Sequence, residues 1–342
     1  MSVARRARGL AAAPLLLAGC SLNRFQSALD PAGTQASRIE RLWWLAPALA
    51  APAYPLTMAA LAVATGRRGR APALPRVEPS PAAERRATRW VAAATGATVV
   101  VLFVFLAADL FTGRALLALG RGGDRPLHVR VTGVQWWWRV EYRDPAPGRS
   151  MTTANELRIP VGRPVVLELE TEDVIHSFWV PALHGKRDHV PGRHNTLTLR
   201  ADRPGVYRGQ CAEYCGLQHA KMGIDVVAMP PRAFDAWYAG QLADAAPPAD
   251  SLRAEGMRAF LSGPCAACHA VRGTPASAQS GPDLTHVASR RSLAAGTLPN
   301  TRGHLAGWIV DPQSLKPGTY MPPNDLPAPA LRALLAYVEG LR

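Results

Sequence analysis

Cys211-Ala212-Glu213-Tyr214-Cys215-Gly216-Leu217-Gln218-His219-Ala220-Lys221-Met222 places two thiols, an imidazole and a thioether within twelve residues. His176 supplies a second imidazole upstream. Soft and borderline ligands of this kind suit copper. A mononuclear blue-copper site takes one Cys, two His and a weak axial Met. The second Cys, four residues on, allows both sulfurs to bridge two copper ions, each with its own His. Met222 and a backbone carbonyl of the Cys-to-Cys loop are then available as weak axial ligands. A Cys211–Cys215 disulfide or a zinc knuckle would use the same cysteines, but zinc leaves Met222 without a role.

Around this motif the chain alternates short β-branched runs with Pro and Gly: Leu127–Val134, Glu156–Pro160, Val165–Glu170, Thr196–Leu199 and Ile224–Ala228. Such spacing predicts an all-β sandwich or barrel over residues 120–240. Upstream lies Gln135-Trp136-Trp137-Trp138. On a strand, Trp136 and Trp138 share one face and Trp137 takes the other. A single-sided sheet cannot bury all three, so an exposed indole is expected. His184, His189 and His194 lie outside the ligand motif and read as surface or subunit-facing residues.

An Ala/Pro joint within residues 241–249 separates a second domain, 250–342. Its Cys265-Ala266-Ala267-Cys268-His269 is the haem c attachment pattern, with two thioether-forming thiols and a proximal imidazole. A zinc site would need a second cluster, and His286 and His304 stand alone in the sequence. Met321, between Tyr320 and Pro322-Pro323, is the expected distal ligand, because the prolines hold an extended loop that can point sulfur at iron. Met257 reads as core. Gly281-Pro282-Asp283-Leu284 and a final helix over Ala328–Leu341 resemble a small all-α class I cytochrome c. That resemblance implies that the Pro282 carbonyl orients His269.

The charge belongs elsewhere. The chain carries 39 Lys+Arg against 25 Asp+Glu, a net +14, and the first 119 residues hold 14 basic and five acidic residues beside the most apolar segments. This is a membrane pattern, and no nucleic-acid partner is expected. Arg5, Arg6 and Arg8 precede a short apolar run ending in Leu17-Ala18-Gly19-Cys20, an export-signal layout over residues 1–19. The box resembles that of bacterial lipoproteins, which implies lipidation at Cys20. Within residues 20–119, two uncharged stretches predict membrane helices over about 42–66 and 90–111. Pro47, Pro52 and Pro55 predict a kink in the first. The arginine-rich loop between them faces the cytoplasm by the positive-inside rule, which puts both termini outside.

Asp173-Val174-Ile175-His176-Ser177-Phe178-Trp179-Val180-Pro181 followed by Cys211–Met222 resembles subunit II of the haem–copper cytochrome c oxidases. The likeness covers residues of about 20 to 240, and the haem motif extends it to a caa-type subunit with a fused cytochrome c. It implies a two-helix transmembrane hairpin and an all-β cupredoxin domain holding binuclear CuA. Cys211 and Cys215 would bridge the coppers, His176 and His219 would bind one each, and Met222 and the Glu213 carbonyl would be axial. By the same resemblance the Glu213 carboxylate reaches a magnesium ion bordering subunit I, and Trp136 is where electrons enter from cytochrome c. The partners implied are oxidase subunits I and III, a cytochrome c donor and the lipid of a bacterial inner membrane. The role is electron input to haem a of subunit I, where oxygen is reduced to water and protons are translocated. Glu84 does not match the family's proton-uptake residue closely enough to carry that role. A copper-delivery module has no use for covalent haem. Nitrous oxide reductase has no membrane hairpin, and quinol-oxidising relatives lack the copper ligands.

Overall fold

A computed structural model describes residues 26–68, 80–119, 125–144, 148 and 150–342. The signal segment, Cys20 and loop residues 69–79 lie outside the described residues. Two compact units are present, residues 37–121 and the remainder.

In the helical unit, α1 (Thr34–Ala50) and α2 (Ala53–Arg68) are separated by a turn at Ala51 and Pro52. Pro55 has no N–H to donate back to Ala51, so the expected kink takes the form of a break. α3 (Pro81–Leu119) runs for 39 residues, well beyond the predicted 90–111. At about 1.5 Å per residue it is roughly twice the length that a bilayer core requires. Arg85, Arg86 and Arg89 therefore sit on its first turns and not in a loop. Both helical stretches are long and apolar enough to cross a membrane.

The other unit begins with a β-sandwich. One sheet has the order β3-β2-β1-β5-β8 and the other β4-β10-β9-β6-β7. The strands of the first are β1 (Leu127–Val134), β2 (Trp137–Arg143), β3 (Met151–Ala154), β5 (Val165–Thr171) and β8 (Asn195–Leu199). Those of the second are β4 (Glu156–Pro160), β6 (His176–Trp179), β7 (Arg187–His189), β9 (Gly205–Cys211) and β10 (Gly223–Met229). Alternate residues point inward, so Val129, Val131, Trp138, Val140, Leu167, Leu169, Leu157, Ile159, Ile224 and Val226 fill the core. α4 (Pro231–Leu242) closes one side by stacking Phe234, Trp237 and Tyr238 about Tyr142. Upstream of the helices, Ala32 donates its N–H to the Ala182 carbonyl at 2.7 Å, and Gly33 bridges to Ala201.

The helical cytochrome domain is built on α5 (Ser251–Ser262) crossing the last helix, with α6 (Arg302–Val310) and the single turn α7 (Pro312–Leu315) between them. The last helix, α8, spans Ala328–Gly340. Asp250 caps α5 by accepting from the Arg253 N–H at 2.8 Å. The crossing needs a glycine, since a Cβ on Gly256 would lie 2.0 Å from the Ala333 carbonyl oxygen. A short hairpin, β11 (Ser292–Leu293) with β12 (Leu298–Pro299), faces the sandwich. There Arg158 donates to Ser289 O at 3.0 Å, Arg208 to Gly296 O at 2.9 Å, and Ser292 to the Asp225 carboxylate at 2.9 Å.

Candidate metal and haem sites

His176 opens β6, Cys211 ends β9, and the loop from Ala212 to Met222 returns the chain into β10. The pairing of β6 with β9 brings Phe178 opposite Cys211, which sets the imidazole beside the thiol. His176 Nδ1 lies 3.8 Å from Cys211 Sγ, and His219 Nδ1 lies 3.6 Å from Cys215 Sγ. Each sulfur thus has its own imidazole. Both residues proposed from sequence as weak ligands lie beside the sulfurs: Glu213 O is 3.2 Å from Cys211 Sγ, and the fully buried Met222 Sδ is 3.8 Å from Cys215 Sγ.

The two thiols form no disulfide. Each perturbs the other: the hydrogen bond from Cys215 holds the Cys211 thiol far below its ordinary range, and the same contact pushes Cys215 up. Bringing both thiols to the thiolate form that a soft metal requires needs a compensating positive charge, as a bound cation supplies. Among the described residues, one cluster of metal-ligating side chains is tight enough to hold an ion, His176, Cys211 and Cys215. His219 stands outside it. That separation fits two ions sharing the sulfurs better than one tetrahedral zinc taking all four ligands.

Sequence reasoning gave no role to Asp173. Its Oδ1 lies 2.8 Å from His176 Nε2 and accepts from Val174 N at 2.7 Å, while Oδ2 accepts from Gln135 N at 2.7 Å. The carboxylate thereby keeps the proton on Nε2 and turns the Nδ1 lone pair toward the sulfurs. Burial alone would lower the His176 pKa, but Asp173 and Cys211 outweigh it and raise it. The acid three residues before a ligand His was the available signal. Gly133 is a second requirement, because a Cβ there would meet His176 Cδ2 at 2.6 Å.

Three sequence expectations change here. Trp136 lies in a turn before β2, not on a strand, and both Trp136 and Trp138 are buried. Trp138 fills the core, whereas Trp136 is covered by Tyr320 of the cytochrome domain, with ring centroids 5.8 Å apart at 19°. His189 is fully buried, since the β6–β7 pairing sets it opposite His176 with its Nδ1 on the Glu170 carbonyl at 2.7 Å. His184 is largely buried too, and only His194 is exposed.

The haem motif lines a cavity of about 390 Å³. Cys265, Cys268 and His269 face it from one side, Met321 from the loop after α7, and Leu284, Leu305, Ile309, Leu334 and Val338 complete an apolar wall. His269 Nδ1 lies 2.8 Å from the Pro282 carbonyl, the contact expected from sequence, and Gln313 fixes the loop by donating to Met321 O at 2.9 Å. Burial lowers the His269 pKa, which favours the neutral ring that an iron ligand must be. Free thiols, a neutral imidazole, a thioether and apolar walls all suit a covalent haem.

The fold and its two sites define a membrane-associated electron-transfer protein with a copper-type β domain and a cytochrome c domain. Residues 127–229 match the family "Cytochrome C oxidase subunit II, periplasmic domain", and residues 253–342 match "Cytochrome c". The cytochrome c oxidase subunit 2 of Alkalihalophilus pseudofirmus is 40% identical over 248 residues, 71% of this chain and 70% of the relative. That of a Bacillus species is 34% identical over 227 residues, 63% of this chain and 62% of the relative. A solved periplasmic domain of cytochrome oxidase subunit II from Bradyrhizobium japonicum is 29% identical and covers 35% of this chain and 95% of its own, with a TM-score of 0.33. The chain belongs to the cytochrome c oxidase subunit II family, in the fused form that carries a cytochrome c domain.

Proposed function

We propose that this chain is the electron-input subunit of a caa-type terminal oxidase. It takes electrons from a cytochrome c donor and delivers them to haem a of subunit I, where oxygen is reduced to water and protons are translocated. Subunit III, a bacterial inner membrane, and cleavage before Cys20 with lipidation of its sulfur belong to the same proposal. The observation that carries it is the pairing of each sulfur with its own imidazole, Cys211 with His176 and Cys215 with His219.

Bound copper and haem c supply reversible one-electron chemistry. Cys211, Cys215, His176, His219, Met222 and the Glu213 carbonyl are the residues that would hold the copper. Cys265 and Cys268 would attach the haem, and His269 and Met321 would take its iron. Asp173 and Pro282 fix the tautomers of His176 and His269, while the apolar wall of the haem cavity excludes water. The Glu213 carboxylate accepts from Lys186 Nζ at 3.1 Å. A magnesium ion shared with subunit I would have to displace that ammonium.

Optical and EPR spectra of the full chain test the proposal. A dicopper signal beside a six-coordinate low-spin haem supports it, and a mononuclear copper signal refutes it. Met222→Leu should alter the copper spectrum and leave the haem spectrum unchanged.

A further inference from the structure

The haem cavity has a second wall, and it comes from the copper domain. Gln135, Trp136 and Trp137 line the same cavity as Met321. Tyr320, one residue before Met321, stacks on Trp136 and hydrogen-bonds through its hydroxyl to Gln135 Oε1 at 3.0 Å. From the other side of this turn, Trp136 Nε1 donates to the Cys215 carbonyl at 2.9 Å, and Gln135 Nε2 donates to the same oxygen at 2.7 Å. Two aromatic rings and one peptide therefore connect the haem-side methionine to a copper-loop cysteine without a gap.

The loop that carries Tyr320 is held against the copper domain at several points. Lys316, only 2% exposed, reaches across to donate to the Trp136 carbonyl at 2.7 Å and to Ala294 O at 3.3 Å. Lysine is almost never buried to this degree without a specific partner. Lys221 donates to Leu315 O at 2.6 Å, and Gln218 donates to Pro317 O. Ala294 and Ala295, which meet Lys316 and the Gly223 N–H, both have left-handed backbones, with φ of 52° and 59°. Strain of this kind persists only where surrounding contacts over-determine the conformation.

We propose that residues 315–321 form an internal docking element, in which Lys316 holds the two domains in register and Tyr320 is the side chain that joins the haem pocket to the copper loop through Trp136. This rests on the electron-input reading. The indole at Trp136 is 8% exposed, so a separate donor protein cannot lie on it and must meet the cytochrome domain instead. In the step concerned, one electron leaves the haem of the cytochrome domain and one is gained by the copper domain. No bond forms or breaks, and no proton moves.

The test uses the full chain loaded with copper and haem. Internal transfer is timed after rapid reduction of the haem, and hydrogen exchange is followed in peptides covering 131–138 and 313–322. Tyr320 is 71% exposed, so its replacement does not threaten folding. Tyr320→Leu should slow internal transfer, because the ring that stacks on Trp136 and faces the haem cavity is lost. Tyr320→Phe, which keeps the ring, should restore most of it. Lys316→Met should raise exchange in both peptides by about tenfold, corresponding to loss of one buried charged hydrogen bond. Should that variant fail to fold, Lys221→Met reads the same exchange by removing the bond to Leu315. The proposal is overturned if Tyr320→Leu leaves the rate unchanged, if Phe does not rescue it, or if exchange does not respond. A wild-type chain with neither a dicopper nor a haem spectrum refutes the electron-input reading itself, whereas intact spectra without internal transfer overturn the docking alone.

Discussion

Replacing Asp173 by Ala removes the acceptor that orients His176 and leaves every first copper ligand in place. The side chain serves four donors, the His176 Nε2–H, the backbone N–H groups of Val174 and Gln135, and, at 3.3 Å, the Thr171 hydroxyl. Loss of such an outer partner typically weakens metal binding about 10- to 100-fold, or ~1.4 to ~2.8 kcal/mol. The carboxylate is 25% exposed, so water can enter the vacated place and serve the imidazole in part. The expected loss is therefore near the lower bound, about tenfold in copper dissociation constant. Asp173→Asn should not rescue it fully. N–H donors face both oxygens, so whichever way the amide is turned, its NH2 faces another N–H. The assay is competition for copper between the apo chain and a chelator of known affinity, with the haem absorbance as an internal check on folding. A dissociation constant within about twofold of wild type for Asp173→Ala would refute the claim that this carboxylate orients the ligand.

Gly133→Ala puts a methyl 2.6 Å from His176 Cδ2, so copper binding should fall while the haem spectrum stays unchanged; an unaltered copper spectrum would count against the tight fit. Gly256→Ala drives a methyl into the Ala333 carbonyl and should destabilise the cytochrome domain by about 1–3 kcal/mol, read as a lower thermal midpoint of the haem band with the copper signal retained. Burial lowers the pKa of His184 and of His189 to about 4 from 6.5. The unfolded chain therefore binds more protons between these limits, and stability should drop as pH falls from about 6.5 to about 4, by up to ~3 kcal/mol per histidine. Urea unfolding of the intact chain at pH 7 and pH 4.5 measures the drop, and equal midpoints at the two values would contradict it.

The ligand motifs were legible because chemistry forces close spacing: both thiols, His219 and Met222 lie in one loop, and the haem thiols flank their imidazole. Strands with apolar alternation were legible as well, and β1 and β4 begin and end where the pattern predicts. β2 alternates too, yet its outward positions, Arg139, Glu141 and Arg143, mask the inward set of Trp138, Val140 and Tyr142. β6 and β7 are four and three residues long, too short for any period, and exist because they pair with each other and β6 pairs with β9. α4 carries a readable signal, Pro231 at its start and Phe234, Tyr238 and Gln241 at helical spacing. The burial of Trp136 and Lys316 had no local signal. Each depends on a side chain about 180 residues away, and in sequence Lys316 is an ordinary lysine beside a proline.

Fusion of a donor domain is usually credited with raising its effective concentration, an argument suited to a flexible tether. The tether here is not free. Arg272 donates to the carbonyls of Gln241, Leu242 and Ala243, and His286 sits between the carbonyls of Ala243 and Arg342. Arg158, Arg208, Lys221 and Lys316 likewise reach across to backbone carbonyls on the other domain or at the turn it covers. Surface ion pairs would tie the domains together loosely, with a strength that falls as salt rises. A cation directed at a carbonyl fixes one peptide in one place, and several of them fix a register. Five basic side chains, Arg158, Arg208, Lys221, Arg272 and Lys316, are thus engaged at the junction of the two redox domains, where Tyr320 lies on Trp136.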